Sequence, residues 1–436
     1  MAISSLTLPA PIRQRLSVAP RDFYRRDHAV ELFEQGDALG GAIEALRYLL
    51  PGMEIGDLMS PLRLVQGTAR VYVSVADDIL TVRAHLAALG DPPSTAALRF
   101  FLTRISGTGQ LYQPRLRGDQ VVLEFSDRLS LVHPLKLIEL MQRIAMEADN
   151  HDQWLIDAFG VTTPDREPLT ALSDEEFERA WTIWQAHWEA VDALMVESRR
   201  RRIIRFLDAL GAFAVNQVRY TLPLFGSIRQ RLNDAADDFT DRDEDPSKRD
   251  AALSKCIKEM RAIGREELRA NLGHARYAIS PLHEGTPSLL TSMLGAGSRM
   301  QATSDLRAAG RALEASLELV ADFLYLLAHH TWSAPIEQSL RQALDAVSDK
   351  PWREAADTLW SHANQIARTY GSHGEGEDDV DEAPGAEHAV TYQKAMNRGQ
   401  GNEGPASPGS RRPSRERTPV MWRLSVAASP AIGAHL

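Results

Sequence analysis

The period of apolar positions changes along the chain and divides it into four stretches. Residues 1 to 22 contain Pro and Ser, show no period, and read as a flexible arm. From residue 23 the spacing is helical, carried by Ala29, Val30, Leu32 and Phe33 and then by Ala42, Ile43, Ala45, Leu46 and Leu49. Gly36, Gly40 and Gly41 interrupt it. Each interior glycine costs about 1 kcal/mol relative to alanine, so the pattern predicts two short helices or one broken one. After Pro51 the period becomes two. Ala69, Val71, Val73 and Val75 alternate with Arg70, Tyr72 and Ser74, and after Asp77-Asp78 the residues Leu80, Val82, Ala84 and Leu86 alternate again. That is the pattern of a half-buried antiparallel hairpin. A helix follows from about Thr95 to Ile105, then a second hairpin: Leu111 to Leu116, a turn at Gly118-Asp119, and Val121 to Phe125. Leu137, Ile138, Met141, Ile144, Ala145 and Ala148 place one apolar stripe on a closing helix of about 25 residues.

The order helix, hairpin, helix, hairpin, helix over residues 23–160 predicts an α+β domain. A twisted antiparallel sheet has one face covered by helices. Its other face carries Arg70, Tyr72 and Ser74, which makes these three candidate partner-binding residues and suits the domain to peptide binding or to pairing as a homodimer.

Residues 172–370 read as helical throughout. Ser173 and Glu176 form a capping box. Phe177, Trp181, Trp184 and Trp188 then fall on one helix face, as a buried seam or as a docking stripe for a partner. Arg199 to Arg202 with Arg205 form the strongest basic run, and Asp234, Asp237, Asp238, Asp241, Asp243, Glu244 and Asp245 form an acidic block. A chain reversal near Pro223 to Gly226 would lay Asp241 to Asp245 beside the arginines. Asp241, Asp243 and Asp245 also mimic the start of a calcium loop, but Pro246 stands where Gly is required and Ala252 where Glu is required. A solvated turn is the expectation. Leu313 to Leu327 predicts a central bundle helix, and Pro335 and Pro351 mark two further helix starts. Residues 371–436 are low-complexity, acidic and then basic, with the composition of a disordered tail.

Composition narrows the functional classes. The 436 residues carry a formal charge of −10, with 44% hydrophobic and 25% charged residues. An acidic chain lacks the clustered Lys and Arg needed for phosphate neutralisation, so no nucleic acid is expected as a partner. No run approaches the ~18 apolar residues of a membrane span, and the opening residues lack the pattern of a secretory signal. The single cysteine, Cys256, excludes an intramolecular disulfide framework and is read as a buried small hydrophobe. Together these predict a cytoplasmic protein.

No catalytic or cofactor motif is present. His329 and His330 are adjacent and would point about 100° apart on a helix, which argues against one shared metal. Gly295-Ala296-Gly297 lacks the Lys-Ser/Thr of a phosphate loop and reads as a turn between helices. The chain is therefore expected to be no enzyme and to use no cofactor or metal. Were it one, the site would lie between the domains near His329, His330 and Arg276.

The segments LVQGTARVYVSVADDILTVRAHL, GDQVVLEFS and HPLKLIELMQRIAMEADNHDQWLIDAFG resemble the type III secretion chaperone-like fold, shared with YbjN-like bacterial proteins. The resemblance covers residues 23–160, roughly a third of the chain. It implies a non-enzymatic, usually dimeric protein that holds a client polypeptide. The sequence thus predicts a chaperone-like or adaptor protein binding its client through the α+β domain. The alternative is a scaffold whose helices bind the partner while the α+β domain dimerises.

Overall fold

A computed structural model describes residues 3–16, 21–90, 94–105, 111–150, 159–163, 165–241 and 243–371. The reading of 371–436 as a disordered tail lies, past Gly371, outside the described residues, as does the far end of the helix expected to run toward residue 160.

The chain is α+β, with an antiparallel six-stranded sheet in its first part and helices after it. Two helices come first, α1 (Phe23–Glu34) and α2 (Ala38–Leu49), separated by Gly36 at φ +92°. Strands β1 (Leu62–Gly67), β2 (Ala69–Ala76) and β3 (Ile79–Ala88) form a meander. Asp77 and Asp78 both take positive φ, the conformation whose twist suits a two-residue hairpin turn. Helix α3 (Thr95–Ile105) precedes β4 (Gln113–Arg117) and β5 (Gln120–Arg128), and α4 (Pro134–Asn150) follows. The inward positions Val71, Val73, Leu80, Val82, Leu123 and Phe125 meet Leu137, Leu140, Met141 and Ile144 of α4 in one core. Helix α4 covers one face of the sheet, and α2 packs against α4.

The first hairpin, α3, the second hairpin and α4 stand where the periodicity puts them. Strand β1 has no counterpart among the predicted elements. Neither has the sixth strand, β6 (Arg276–Tyr277), which comes from within the stretch that reads as purely helical. It pairs antiparallel with β1, Gln66 opposite Tyr277 and Gly67 opposite Arg276. The sheet order is β4-β5-β3-β2-β1-β6. The Gln66 side chain seals the joint, its Nε2 donating to the Ile279 carbonyl at 2.9 Å and its Oε1 accepting from the Ile279 amide at 3.0 Å. Gln66 is fully buried, and an unpaired amide group there would cost about 1–3 kcal/mol. The boundary drawn between residues 160 and 172 is therefore crossed by the chain, because two residues can complete a sheet without leaving any periodic signal.

The helical part begins with α5 (Asp174–Arg201), opened by the Ser173–Glu176 capping box as expected. It continues through α6 (Ile204–Thr221), α7 (Gly226–Thr240), α8 (Pro246–Arg261), α9 (Arg265–Ala270), α10 (Pro287–Leu294) and α11 (Ser298–Ala308) to α12 (Ala312–His329). A short parallel pair joins β7 (His283–Glu284) to β8 (His330–Thr331), and α13 (Ala334–Asp345) and α14 (Trp352–Tyr370) close the bundle. Helix α12 is buried on nearly every side, as its apolar content requires. Asp245 caps α8 and Pro246 occupies its first turn, which is the solvated-turn reading of the acidic block. Cys256 is buried, and burial pushes its thiol up to about 12.

The arm needs correction. Residues 3–16 are extended but seated on the helices, with Leu6, Leu8 and Ile12 buried in the bundle core. The Ile12 amide donates to the Thr221 carbonyl at 2.8 Å, the Asp349 amide to the Leu6 carbonyl at 2.7 Å, and Trp352 Nε1 to the Ile3 carbonyl at 2.8 Å. Three apolar anchors and paired backbone groups hold the segment without any regular structure.

Candidate functional site

Alternation along the strands sends one set of side chains to the core and the other to the uncovered face of the sheet. Register places the second set in rows. Arg63 lies opposite Tyr72, Tyr72 opposite Arg83, Arg83 opposite Glu124, and Glu124 opposite Gln113. In a neighbouring row Val65 lies opposite Arg70, while His85 and Arg115 both lie opposite Val122. A hydroxyl row runs through Ser74, Thr81 and Ser126, with Thr81 Oγ1 and Ser126 Oγ 3.3 Å apart.

Two ion clusters organise this face. In the first, the connector after residue 159 crosses the end of the sheet and lays two acids on it. Asp165 Oδ1 is 2.5 Å from Arg70 Nη1, and Tyr72 Oη donates to Asp165 Oδ2 at 2.5 Å. Glu167 Oε2 accepts from Arg70 Nη2 at 2.8 Å and from Arg63 Nη2 at 3.0 Å. Between them Arg166 turns inward and donates to the Ala148 and Leu86 carbonyls. Burial pushes the Asp165 carboxyl up, but hydrogen bonds from Tyr72 and Arg70 outweigh it and hold the group below the usual carboxylate range. The Arg70 hydrogen bond does the same for Glu167.

In the second cluster three arginines share one carboxylate. Glu124, with 2% of its side chain exposed, accepts from Arg117 Nη2 at 2.6 Å and from Arg83 Nη2 at 2.7 Å, with Arg115 Nε at 3.4 Å. Burial raises the Glu124 carboxyl, and the Arg117 and Arg83 hydrogen bonds bring it below its ordinary value. The three guanidinium side chains are 39%, 50% and 54% exposed, in the order Arg83, Arg115, Arg117. Five arginines (63, 70, 83, 115, 117) thus face three carboxylates (124, 165, 167), a surplus of two positive charges on a protein that is acidic as a whole.

Of the residues singled out in the sequence, Arg70, Tyr72 and Ser74 share this face. Arg70 and Tyr72 are already engaged by Asp165 and Glu167. Trp184 and Trp188 are buried in the bundle core and Trp181 is half-buried against it, so the docking-stripe reading of the three tryptophans is dropped. Trp184 Nε1 donates to the Met260 carbonyl at 3.1 Å, and the two rings meet edge to face. Sequence reasoning missed Arg83, Arg115, Arg117 and Glu124, although their outward phase in period-two strands was readable. Asp165 and Glu167 sit in a connector, where no periodicity could mark them.

Arg199, Arg201 and Arg205 of the basic run are paired, but with other partners than expected. Arg199 pairs with Asp250 at 2.7 Å, Arg201 with Glu314 at 2.8 Å, and Arg205 with Glu318. The acids come from α8 and from α12, which packs alongside α6, rather than from Asp241 to Asp245. His329 and His330 lie at the end of α12. His329 Nε2 is 3.0 Å from Asn216 Oδ1 and 3.5 Å from Arg219 Nη1. Burial, with Arg219 close by, holds His329 well below its ordinary value, and burial lowers His330 to about 4. Arg276 stands exposed on β6, in the sheet rather than at the end of α12.

An open depression of about 520 Å³ runs along α14 past Trp360, Asn364 and Arg368, on the outside of one helix. Among the described residues, no group of three or more His, Cys, Asp or Glu side chains is arranged to hold a metal ion. Among the same residues, no helix is long and apolar enough to cross a membrane. No family model matches the chain, and no curated protein matches it. Fold and site together define an α+β protein with a helical extension and an arginine-bearing sheet face.

Proposed function

We propose that the protein binds polypeptide without catalysing a reaction, holding an extended client segment on the outer face of its sheet. This is the chaperone-like or adaptor role implied by its resemblance to secretion chaperones and YbjN-like proteins. The observation that carries the reading is the connector at Asp165 and Glu167. A piece of the protein's own connector already sends two carboxylates onto this face, where they meet Arg63, Arg70 and Tyr72. The second cluster offers the same chemistry to a further segment. Guanidinium groups recognise carboxylates through paired hydrogen bonds, and partly exposed ones do so with little desolvation. We place the protein in the cytoplasm as part of the same reading, on its single, buried, unpaired cysteine.

The test uses fluorescent peptides of acidic, neutral and basic composition, titrated into the full chain. Acidic peptides should bind best, and replacing Arg115 and Arg117 together by Glu should weaken them about tenfold or more. Binding that ignores both substitutions would remove the face as the site.

A further inference from the structure

A second gathering of basic groups lies where the arm crosses the helical part. Arg13 comes from the arm, Asn216 and Arg219 from α6, Asn233 from α7, Tyr325 and His329 from α12, and His330 from β8. Arg219 Nη2 donates to Asn233 Oδ1 at 2.5 Å, and its Nη1 stands 3.5 Å from His329 Nε2. That imidazole nitrogen is 3.0 Å from Asn216 Oδ1. Arg13 is tied to the same two helices: its Nη1 donates to the Arg219 carbonyl at 2.8 Å and lies 3.5 Å from the Ala328 carbonyl. The Tyr325 ring packs on both histidines, its centroid 4.9 Å from that of His329 and 5.3 Å from that of His330.

Three features of this junction favour an anion. The groups acting most strongly on His329 are all bases: Arg219, His330, His283 and Arg13. Of the acids that act on the two arginines, Asp237 and Glu337, the second is already held by Arg15 at 2.6 Å. Donors are also left over. Arg13 Nε and Nη2 have no acceptor among the described residues, and His330 Nδ1, on a ring 8% exposed, has no partner there either. Finally, Arg13, Arg219 and His329 are each half-buried, which strips away much of their water and keeps one side open to it. Taking a guanidinium out of water costs free energy unless a negative group accompanies it, and an anion entering from the open side supplies one.

We propose that a phosphate group, free or carried by a small molecule, binds at this junction between Arg13 and Arg219, with His329 beside it. Two guanidinium groups balance the two charges of a phosphate dianion, and their planar forks match its oxygens in pairs. A carboxylate has one charge and leaves one of the two arginines uncompensated. The site is independent of the polypeptide-binding reading, since none of these residues stands on the outer face of the sheet. Because Arg13 belongs to the arm, a phosphate held there also fastens residues 3–16 to α6 and α12.

The experiment is isothermal titration calorimetry of the full chain with inorganic phosphate, phenyl phosphate and acetate. Phosphate should bind in the millimolar range or tighter, and acetate at least about tenfold more weakly. A monoester that binds as well as the free ion assigns the site to a phosphorylated small molecule, and one that is refused assigns it to the ion itself. Arg13→Gln should weaken phosphate about tenfold or more, whereas Arg13→Lys, which keeps the charge, should lose less. Arg15→Gln, two residues along the same arm, should leave the affinity unchanged. Arg219→Gln approaches the site from the helices and should match Arg13→Gln, so a variant that fails to fold leaves the other to decide. Phosphate binding weaker than about 10 mM, acetate binding as tightly, or affinity that survives both glutamine substitutions overturns the proposal.

Discussion

Replacing Glu124 by Gln should lower stability and at the same time strengthen the face for acidic ligands. The amide keeps the shape of the side chain, so no cavity opens. What changes is charge and one acceptor oxygen: Arg117 and Arg83 donate to the two carboxylate oxygens at 2.6 and 2.7 Å, and an amide can accept from only one side. A hydrogen bond to a charged group is worth about 1.5–3 kcal/mol. The guanidinium partners are partly exposed and can turn to water, which reduces the loss to about 1–2 kcal/mol. At about 2.1 cal/mol/K of unfolding entropy per residue, each kcal/mol moves the Tm of a chain of this length by only about 1 °C, so scanning calorimetry should record a drop of roughly 1–3 °C. Because the folded state holds the Glu124 carboxyl below its ordinary value, its contribution is present above the unfolded value of about 4.3 and is lost as pH falls through the folded one. The gap between the melting curves of the wild type and the Glu124→Gln variant should therefore close toward acid. Binding moves the other way. Removing one negative charge raises the arginine surplus, and acidic peptides should bind about two- to fivefold tighter at low salt. An unchanged Tm together with unchanged or weaker peptide binding would refute the placement of Glu124 as the counter-ion of this face.

Three further outcomes follow from the packing. Gly67 has φ +61°, and an added Cβ would stand 1.5 Å from Asp149 Oδ1, whose carboxylate is buried and 3.4 Å from Arg229 Nη1. Gly67→Ala should cost about 3–5 kcal/mol in urea unfolding, against about 1–2 for Gly118→Ala, which has a similar φ and open space around it; equal costs would dismiss the close approach. Arg201→Ala leaves buried Glu314 to Arg311 at 3.3 Å and should cost about 2–4 kcal/mol, whereas Arg200→Ala, which removes a well-exposed partner from half-buried Glu197, should cost under about 0.5. Burial lowers His187 and His330 to about 4, so the unfolded chain binds their protons first as pH falls. Stability should then be full above about pH 6.5 and decline toward pH 4, by on the order of 3 kcal/mol for each histidine, and His330→Asn should flatten that decline in urea midpoints taken across the range.

The local elements were legible because each leaves a repeat in the sequence. Val71, Val73, Leu80 and Val82 alternate because a strand has two faces, and Leu137, Met141 and Ile144 recur because a helix buries one stripe. The same alternation marks Arg70, Tyr72 and Ser74 as outward, and its phase does so equally for Arg83, Arg115 and Arg117. The Ser173–Glu176 box and Pro246 fixed helix starts through chemistry confined to a few neighbouring residues. Such signals are short-range, and a single chain contains them in full.

What the tertiary structure alone decided involves residues far apart in the chain. Two residues at Arg276 and Tyr277 close the sheet more than 200 positions after Gln66, and residues 3–16 are fixed by helices that come after residue 200. Arg201 and Arg205 take Glu314 and Glu318 instead of the nearer acidic block, since helix packing and not sequence distance sets which carboxylate lies within reach. Asp165 and Glu167 reach the sheet from a connector with no period. Periodicity reports which way a side chain faces; the partner it meets depends on how whole elements are laid together, and only the folded chain holds that information.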